Sequence, residues 1–348
     1  MSLVGPFKGA YSYGFSQVFR KYPSNPIISP RSGVWWESRQ TFNPGAVYVE
    51  GRVHLLYRAI GEDWVSRLGY ASSVDGFRIV ERLGYPVYEH KGESVPLPLM
   101  SPSGGSFLGA EDPRLVHVDG EDRLYMTYTA YDGLNLEVAL TSISIESFLE
   151  KKWDWARPRI ISPSGESHKN WVLFPKKFEG KYAILHSLSP TVQIEYLDSL
   201  EVPEGFHIRS VFDEGFSLWR GGWEMRVRGV AAPPIETGEG WLLLYHATDA
   251  REPEKYKVGA MLLDLQDPKR VLAVAGAPVL EPTEAYEYEG FKPGVIYMTG
   301  AVAKGDDLLV YYGAADNYVC VAMGKLSRLV ELLLESTREK QRLNGLGE

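Results

Sequence analysis

The sequence predicts an all-β fold, a five-bladed β-propeller with a C-terminal helix, and three observations carry that expectation. A hairpin unit recurs five times, its turn glycines recur at near-regular spacing, and a further short apolar strand follows most copies. The unit is a short apolar strand, a turn centred on Gly, and a second strand rich in β-branched and aromatic residues. Turn glycines 51, 120, 180, 240 and 305 are separated by 69, 60, 60 and 65 residues, enough for a four-stranded blade with generous loops.

Taken in order, the first copy runs Gly45-Ala46-Val47-Tyr48-Val49 into Val53 to Arg58, and the second runs Arg114-Leu115-Val116-His117-Val118 into Leu124 to Thr129. The third runs Leu173-Phe174-Pro175 into Tyr182 to His186, and the fourth Ala231-Ala232-Pro233-Pro234-Ile235 into Trp241 to His246. The fifth is Gly300-Ala301-Val302-Ala303 into Leu308 to Tyr312. Third strands follow at Leu68 to Ala71, Val138 to Leu140, Val258 to Leu262 and Val319 to Ala322. Radial repetition buries each sheet face against the next blade and leaves few edges exposed, whereas a β-sandwich, the competing arrangement, gives no reason for regular repeats of this length. Leu326 to Leu343 breaks the pattern with helical spacing of apolar residues, so residues 325–343 are expected to form a helix that covers one blade's edge or makes an oligomer contact.

Composition narrows the function classes. The 348 residues are 44% hydrophobic and 24% charged, suited to one large globular domain spanning 1–348. A net charge of -8 without a dense Lys/Arg run before the final segment argues against nucleic acid as a partner. Met1 to Tyr13 lacks the pattern of a secretory leader, no apolar run is long enough to cross a membrane, and Cys320 is the single cysteine. These features point to a cytoplasmic protein without disulfides.

In a propeller, corresponding ends of the repeated hairpins converge on the axis. The second-strand ends offer Arg58, Thr127 with Tyr128, His186, His246 and Tyr312, and the segments entering the first strands add Asn43, Glu111, Asp112, Lys169, Asn170 and Arg228. Arg58, His186, His246 and Tyr312 are therefore expected around one cavity. Tyr128, Tyr131, Tyr288, Tyr312 and Trp171 near the loop mouths suit either sugar stacking or blade packing. Two histidines without a third ligand at helical spacing, and without an HExxH pattern, give no expectation of a metal. Asp112 stands out within Glu111-Asp112-Pro113-Arg114, where proline fixes the backbone and burial would raise the carboxyl pKa into the range of a proton donor for glycosidic cleavage. On these residues alone, a turn carboxylate ion-paired to Arg114 is the slightly favoured reading.

Several motifs occur in an ordered series: Thr41-Phe42-Asn43-Pro44-Gly45-Ala46, Leu56-Tyr57-Arg58, Ser66-Arg67-Leu68-Gly69, Gly109-Ala110-Glu111-Asp112-Pro113-Arg114, Leu173-Phe174-Pro175-Lys176-Lys177, Leu244-Tyr245-His246, Leu280-Glu281-Pro282 and Tyr311-Tyr312-Gly313-Ala314-Ala315-Asp316. This series, from about Asn25 to Ala322, resembles glycoside hydrolase family 130. The resemblance implies a five-bladed propeller acting on β-mannosides, either as a phosphorylase that transfers mannose to inorganic phosphate with inversion or as a hydrolase. It implies that Asp112 is the catalytic acid, delivering its proton through a hydroxyl of the mannose. Inorganic phosphate is then a co-substrate, no other cofactor is needed, and Arg67, Lys169, Arg228 and His246 are expected to hold it. Asn43, Arg58 and Asp316, together with Glu111, Asn170, His186 and Tyr312, are expected to contact a small oligosaccharide.

The chain departs from the family pattern at two places. It reads His186-Ser187-Leu188 where phosphorylases commonly read His-Arg-Pro, and Asn170 follows Lys169 in place of the commoner Asp. One cation is thereby lost. A hydrolase, with Glu111, Glu224 or Glu287 activating water, is the alternative reading, and a non-catalytic sugar-binding propeller is the third.

Overall fold

Side chains along a strand alternate between its two faces, and in this chain the alternation is apolar on both sides of the central strands. In the second strand of the last blade, Leu308, Val310, Tyr312 and Ala314 join one core cluster while Leu309 and Tyr311 join another. A sheet buried on both faces must be sandwiched between two others. The computed structural model, which describes residues 14–90, 103–211 and 223–345, shows this arrangement repeated around a ring.

Blade 1 is built from Gln40–Val49, Arg52–Ile60, Val65–Ser73 and Ile79–Arg82, and blade 2 from Leu108–His117, Arg123–Tyr131, Leu136–Ser144 and Arg159–Ile160. Blade 3 has Val172–Leu173, Tyr182–Ser187 and Gln193–Leu197. Blade 4 has Glu224–Val230, Trp241–Asp249, Glu252–Leu263 and Val271–Val274, with Ile235–Glu236 alongside the second strand. Blade 5 has Ile296–Lys304, Asp307–Ala314 and Tyr318–Lys325, and its fourth strand is Arg20–Lys21 from the other end of the chain, paired antiparallel with Met323 and Ala322. The fold is a five-bladed β-propeller. Five hydrophobic clusters fill the spaces between blades 1 and 2, 2 and 3, 3 and 4, 4 and 5, and 5 and 1.

The helix Leu326–Gly345 buries Leu329, Val330 and Leu333 in the cluster between blades 4 and 5, beside Phe15, Val18 and Phe19. It covers a blade edge, which accounts for its apolar stripe. Among the described residues, no helix is long and apolar enough to cross a membrane.

The inner strands share a feature that creates the site. Each of those in blades 1, 2, 4 and 5 carries a bulge, between Phe42 and Gly45, Glu111 and Arg114, Val227 and Gly229, and Met298 and Gly300. A bulge bends its strand and re-aims a side chain. Aligning the blades by their strand pairing sets Asn43, Asp112, Asn170, Gly229 and Met298 in equivalent places, and the first four have φ of 44°, 50°, 66° and 117°. Asn, Asp and Gly are the residues that tolerate this left-handed backbone. Gly229 also lacks room for a side chain, because a Cβ there would come within 2.7 Å of the Asn170 amide.

Candidate active site

The site grows from the bulge residues of blades 1 and 2. Asn43 Nδ2 donates to Asp112 Oδ1 at 2.8 Å, and Arg58 Nη1 donates to the same oxygen at 3.2 Å. Arg58, buried to 2% exposure, also donates to Ser66 Oγ, Ser106 Oγ, the Ser103 carbonyl and Glu111 Oε1. Glu111 Oε2 accepts from Lys169 Nζ at 2.9 Å and from Ser103 Oγ at 2.8 Å. Two buried carboxylates, one guanidinium and one ammonium thus form a closed ion cluster. Removing Arg58 would leave both carboxylates poorly compensated, a loss of about 3–5 kcal/mol for a broken buried pair.

Burial alone would raise the Asp112 pKa, but Arg58, Lys169 and Arg114, with the Asn43 hydrogen bond, bring it below the ordinary aspartate value. The expectation of a carboxyl raised by burial is corrected here: the surrounding cations outweigh desolvation. The ion pair expected with Arg114 is also absent from this geometry, since Arg114 donates to the main-chain oxygen of Asp112. The raised carboxyl is Asp316, at the turn after the second strand of blade 5. Burial pushes it up to about 6, against the pull of Lys292 and Arg58, with Asp112 adding to the rise.

On the blade 4 and 5 side the balance is different. His246 is fully buried, its ring stacks on Tyr297 at 4.1 Å, and its Nε2 accepts from the Met298 N–H at 2.9 Å. Burial, reinforced by Arg114, lowers its pKa to about 3, so the ring is neutral. With Nε2 accepting, the proton resides on Nδ1, and that nitrogen has no partner among the described residues. Arg228 and Lys292 lie against the Tyr256 ring at 5.3 and 4.6 Å. Among the described residues, neither is within ion-pair distance of a carboxylate. Nor does any group of three His, Cys, Asp or Glu there form a metal site.

Comparison with known proteins supplies the family independently of this geometry. The family model described as beta-1,4-mannooligosaccharide phosphorylase, of glycoside hydrolase family 130, matches residues 19–335. The chain belongs to glycoside hydrolase family 130. It is 34% identical to a 1,2-beta-oligomannan phosphorylase of a Thermoanaerobacter species, over 87% of this chain and 96% of that protein. It is 32% identical to a beta-1,2-mannobiose phosphorylase of the same organism, over 86% and 95%. The solved beta-1,2-mannobiose phosphorylase of Listeria innocua superposes with a TM-score of 0.67 at 24% identity, covering 90% of this chain and 99% of that one, a likeness that speaks to the fold.

For this member of family 130, the sequence-derived site residues divide into three groups. Asn43, Arg58, Glu111, Asp112 and Lys169 are linked by the contacts above, and Asp316, Arg228 and His246 act on the same centre electrostatically. Asn170 is held structurally: its Oδ1 accepts from Arg114 Nη2 at 2.7 Å and Tyr297 OH at 2.6 Å, and its Nδ2 donates to the Arg228 carbonyl at 2.8 Å.

Arg67, Tyr312 and His186 lie elsewhere. Arg67 sits on the face of its strand opposite Arg58, bound to Asp63 at 2.6 Å and Glu89 at 2.9 Å and stacked over Trp35. Tyr312 points into the core between blades 4 and 5 and donates to Glu287 Oε1 at 3.0 Å. His186 bonds Ser210 Oγ through Nδ1 at 2.9 Å and lies against Trp171, and burial lowers its pKa to about 4. The physical reason for both is a one-residue slip in the hairpin alignment, which flips every side chain to the other face. The positions equivalent to Arg58 and His246 are Ser187 in blade 3 and Gly313 in blade 5, one residue beyond His186 and Tyr312.

The three carboxylates considered as bases for water are all engaged. Glu111 belongs to the ion cluster, Glu287 is fully buried against Lys21 and Tyr312, and Glu224 accepts from Tyr245. Of the mouth aromatics, Tyr128 bonds the Tyr88 hydroxyl at 2.7 Å within the core between blades 1 and 2, and Trp171 fills the next core. Tyr288 is 38% exposed. Sequence reasoning missed Tyr297, which stacks on His246 and bonds Asn170, because the fifth repeat was begun at Gly300; extending it three residues upstream would have found it. Lys292 lies in a rim loop outside the repeat, where no periodic signal marks it.

Proposed function

We propose that the protein is a β-mannoside phosphorylase that cleaves its substrate with inversion to mannose 1-phosphate, using inorganic phosphate and no other cofactor. The observation that carries this reading is the unpartnered His246 Nδ1–H, fully buried and within electrostatic reach of Arg228 and Asp112. A buried donor and nearby cations without protein acceptors suit a dianion, and phosphate offers enough oxygens to satisfy them together. His246 is neutral, so it contributes a directed N–H donor and leaves the charge to Arg228 and Lys292, since Lys169 is already paired with Glu111.

The depressed Asp112 pKa fits this order of events. A dianion arriving on the cationic half offsets part of the field that keeps Asp112 ionised, and a carboxyl facing added negative charge rises toward the range where it holds a proton. Asp112 then gives that proton toward the leaving glycosidic oxygen while a phosphate oxygen attacks the anomeric carbon from the opposite face. The products are the shortened saccharide, carrying the proton, and mannose 1-phosphate. Engagement of Glu111, Glu224 and Glu287 supports phosphorolysis over water activation.

Three relatives above 30% identity are named for β-1,2 linkages, so β-1,2-mannobiose is the substrate to test first. Incubated with β-1,2- and β-1,4-linked mannobiose, the enzyme is expected to release mannose 1-phosphate only when phosphate is supplied. Free mannose as sole product, at a rate indifferent to phosphate, would establish the hydrolase instead.

A further inference from the structure

Arg114 is buried to 2% exposure, and every one of its hydrogen bonds ends on a neutral acceptor. Nη1 donates to the Asp112 carbonyl at 2.9 Å, Nη2 to Asn170 Oδ1 at 2.7 Å and the Val230 carbonyl at 3.4 Å, and Nε to the Ala231 carbonyl at 3.1 Å. Among the described residues, no carboxylate is within ion-pair distance of it; the Asp112 carboxylate turns instead to Arg58. These acceptors belong to three consecutive blades and include both a left-handed ring residue's carbonyl and another's side chain. Dipoles alone compensate a buried guanidinium poorly, and its field reaches the site, lowering Asp112 and His246 alike.

We propose that Arg114 is a positioning residue with an electrostatic role: it fixes the backbone of Asp112 and the amide of Asn170, and its unneutralised charge strengthens the hold on an anion in the axial pocket. The identity of that anion as phosphate rests on the phosphorolysis reading; the charge argument does not. Asn170 provides a test that leaves Arg114 in place. Asn170→Asp keeps the oxygen that Arg114 and Tyr297 use and sets a carboxylate directly against the guanidinium. It gives up the Nδ2 donor to the Arg228 carbonyl, so Arg114→Met, which leaves that donor in place, is the control for the charge.

Binding of phosphate and of sulfate is measured by calorimetry without sugar, alongside kcat and KM for phosphate and for mannobiose, in the wild type, Asn170→Asp, Arg114→Lys and Arg114→Met. Asn170→Asp is expected to weaken both anions by about tenfold and to raise the phosphate KM similarly, with the mannobiose KM within about threefold, since a neutralised cation acts on the anion. Arg114→Lys is expected to retain most anion affinity but lose kcat, because an ammonium cannot span four fixed acceptors. Arg114→Met is expected to lose both. Unchanged anion affinity and phosphate KM in Asn170→Asp, or parallel losses in both KM values with no split between Lys and Met, overturn the proposal. Wild-type anion binding that weakens in Asn170→Asp, without phosphate-dependent turnover, sustains Arg114's role and removes the phosphorolysis reading alone.

Discussion

The two halves of the axial site are built from similar residues to opposite ends. On the side of blades 1 and 2, Arg58 and Lys169 are matched against Glu111 and Asp112, and the Arg58 donors end on protein oxygens. On the side of blades 4 and 5, Arg228 and Lys292 lie on an aromatic face and His246 presents a buried N–H to no protein acceptor. A satisfied ion cluster is rigid and fixes geometry, while an unsatisfied one is an incomplete site whose missing member is the ligand. The acid is therefore held where charges are paired, and the anion belongs where they are not.

Replacing Asp112 tests the paired half and should give the largest effect. Asp112→Asn keeps an oxygen for Asn43 and Arg58, and asparagine tolerates the left-handed φ of 50°. Folding should survive while turnover falls by at least about 10²-fold, the usual size of a lost general acid. More than a tenth of wild-type turnover at an unchanged melting temperature would make Asp112 structural and dissolve the distinction between the halves.

A smaller contrast sharpens it. Arg228→Met should raise the phosphate KM by roughly tenfold, as expected for one charge-assisted contact. Arg67→Met should stay within about twofold, because its charge is already committed to Asp63 and Glu89. Steady-state kinetics at varied phosphate reads both. If Arg67→Met costs as much as Arg228→Met, the accounting that excludes Arg67 from the pocket is wrong.

The contrast also shows what the sequence could carry. Five hairpins at regular spacing made the propeller legible and Glu111-Asp112-Pro113-Arg114 stood out, but the bulges at Asn43 and Asp112 emerged only from the strand pairing. His186 and Tyr312 were misread because strand ends were matched by residue type, and a period of two punishes an error of one with the opposite face. The direction of the Asp112 shift was not readable at all. It depends on Arg58 and Lys169, from blade 1 and the segment entering blade 3, and only the folded ring brings them to the carboxyl.

The smallest expected effect concerns stability and turns on the two aspartates having moved in opposite directions. Asp316, with a folded pKa of about 6 against an ordinary value of 3.8, binds its proton more tightly in the native state. The stability it lends is complete below about pH 4 and lost as pH rises through about 6. Asp112, lowered in the native state, has the reverse sign: its contribution is present above the ordinary aspartate value and lost as pH falls. A simple melting curve for the wild type mixes both, but the difference between Asp316→Asn and the wild type isolates Asp316, since Asp112 is common to the two. Asparagine also suits the φ of 51° there. The difference in melting temperature should be near zero at pH 4 and grow to a few degrees in favour of the variant by pH 7.5, the scale set by about 3 kcal/mol or less from a shift of about two units. Parallel curves across that range would mean that Asp316 is ionised like an exposed carboxylate, and that the charges around it are shared more evenly between the two halves of the pocket than the geometry indicates.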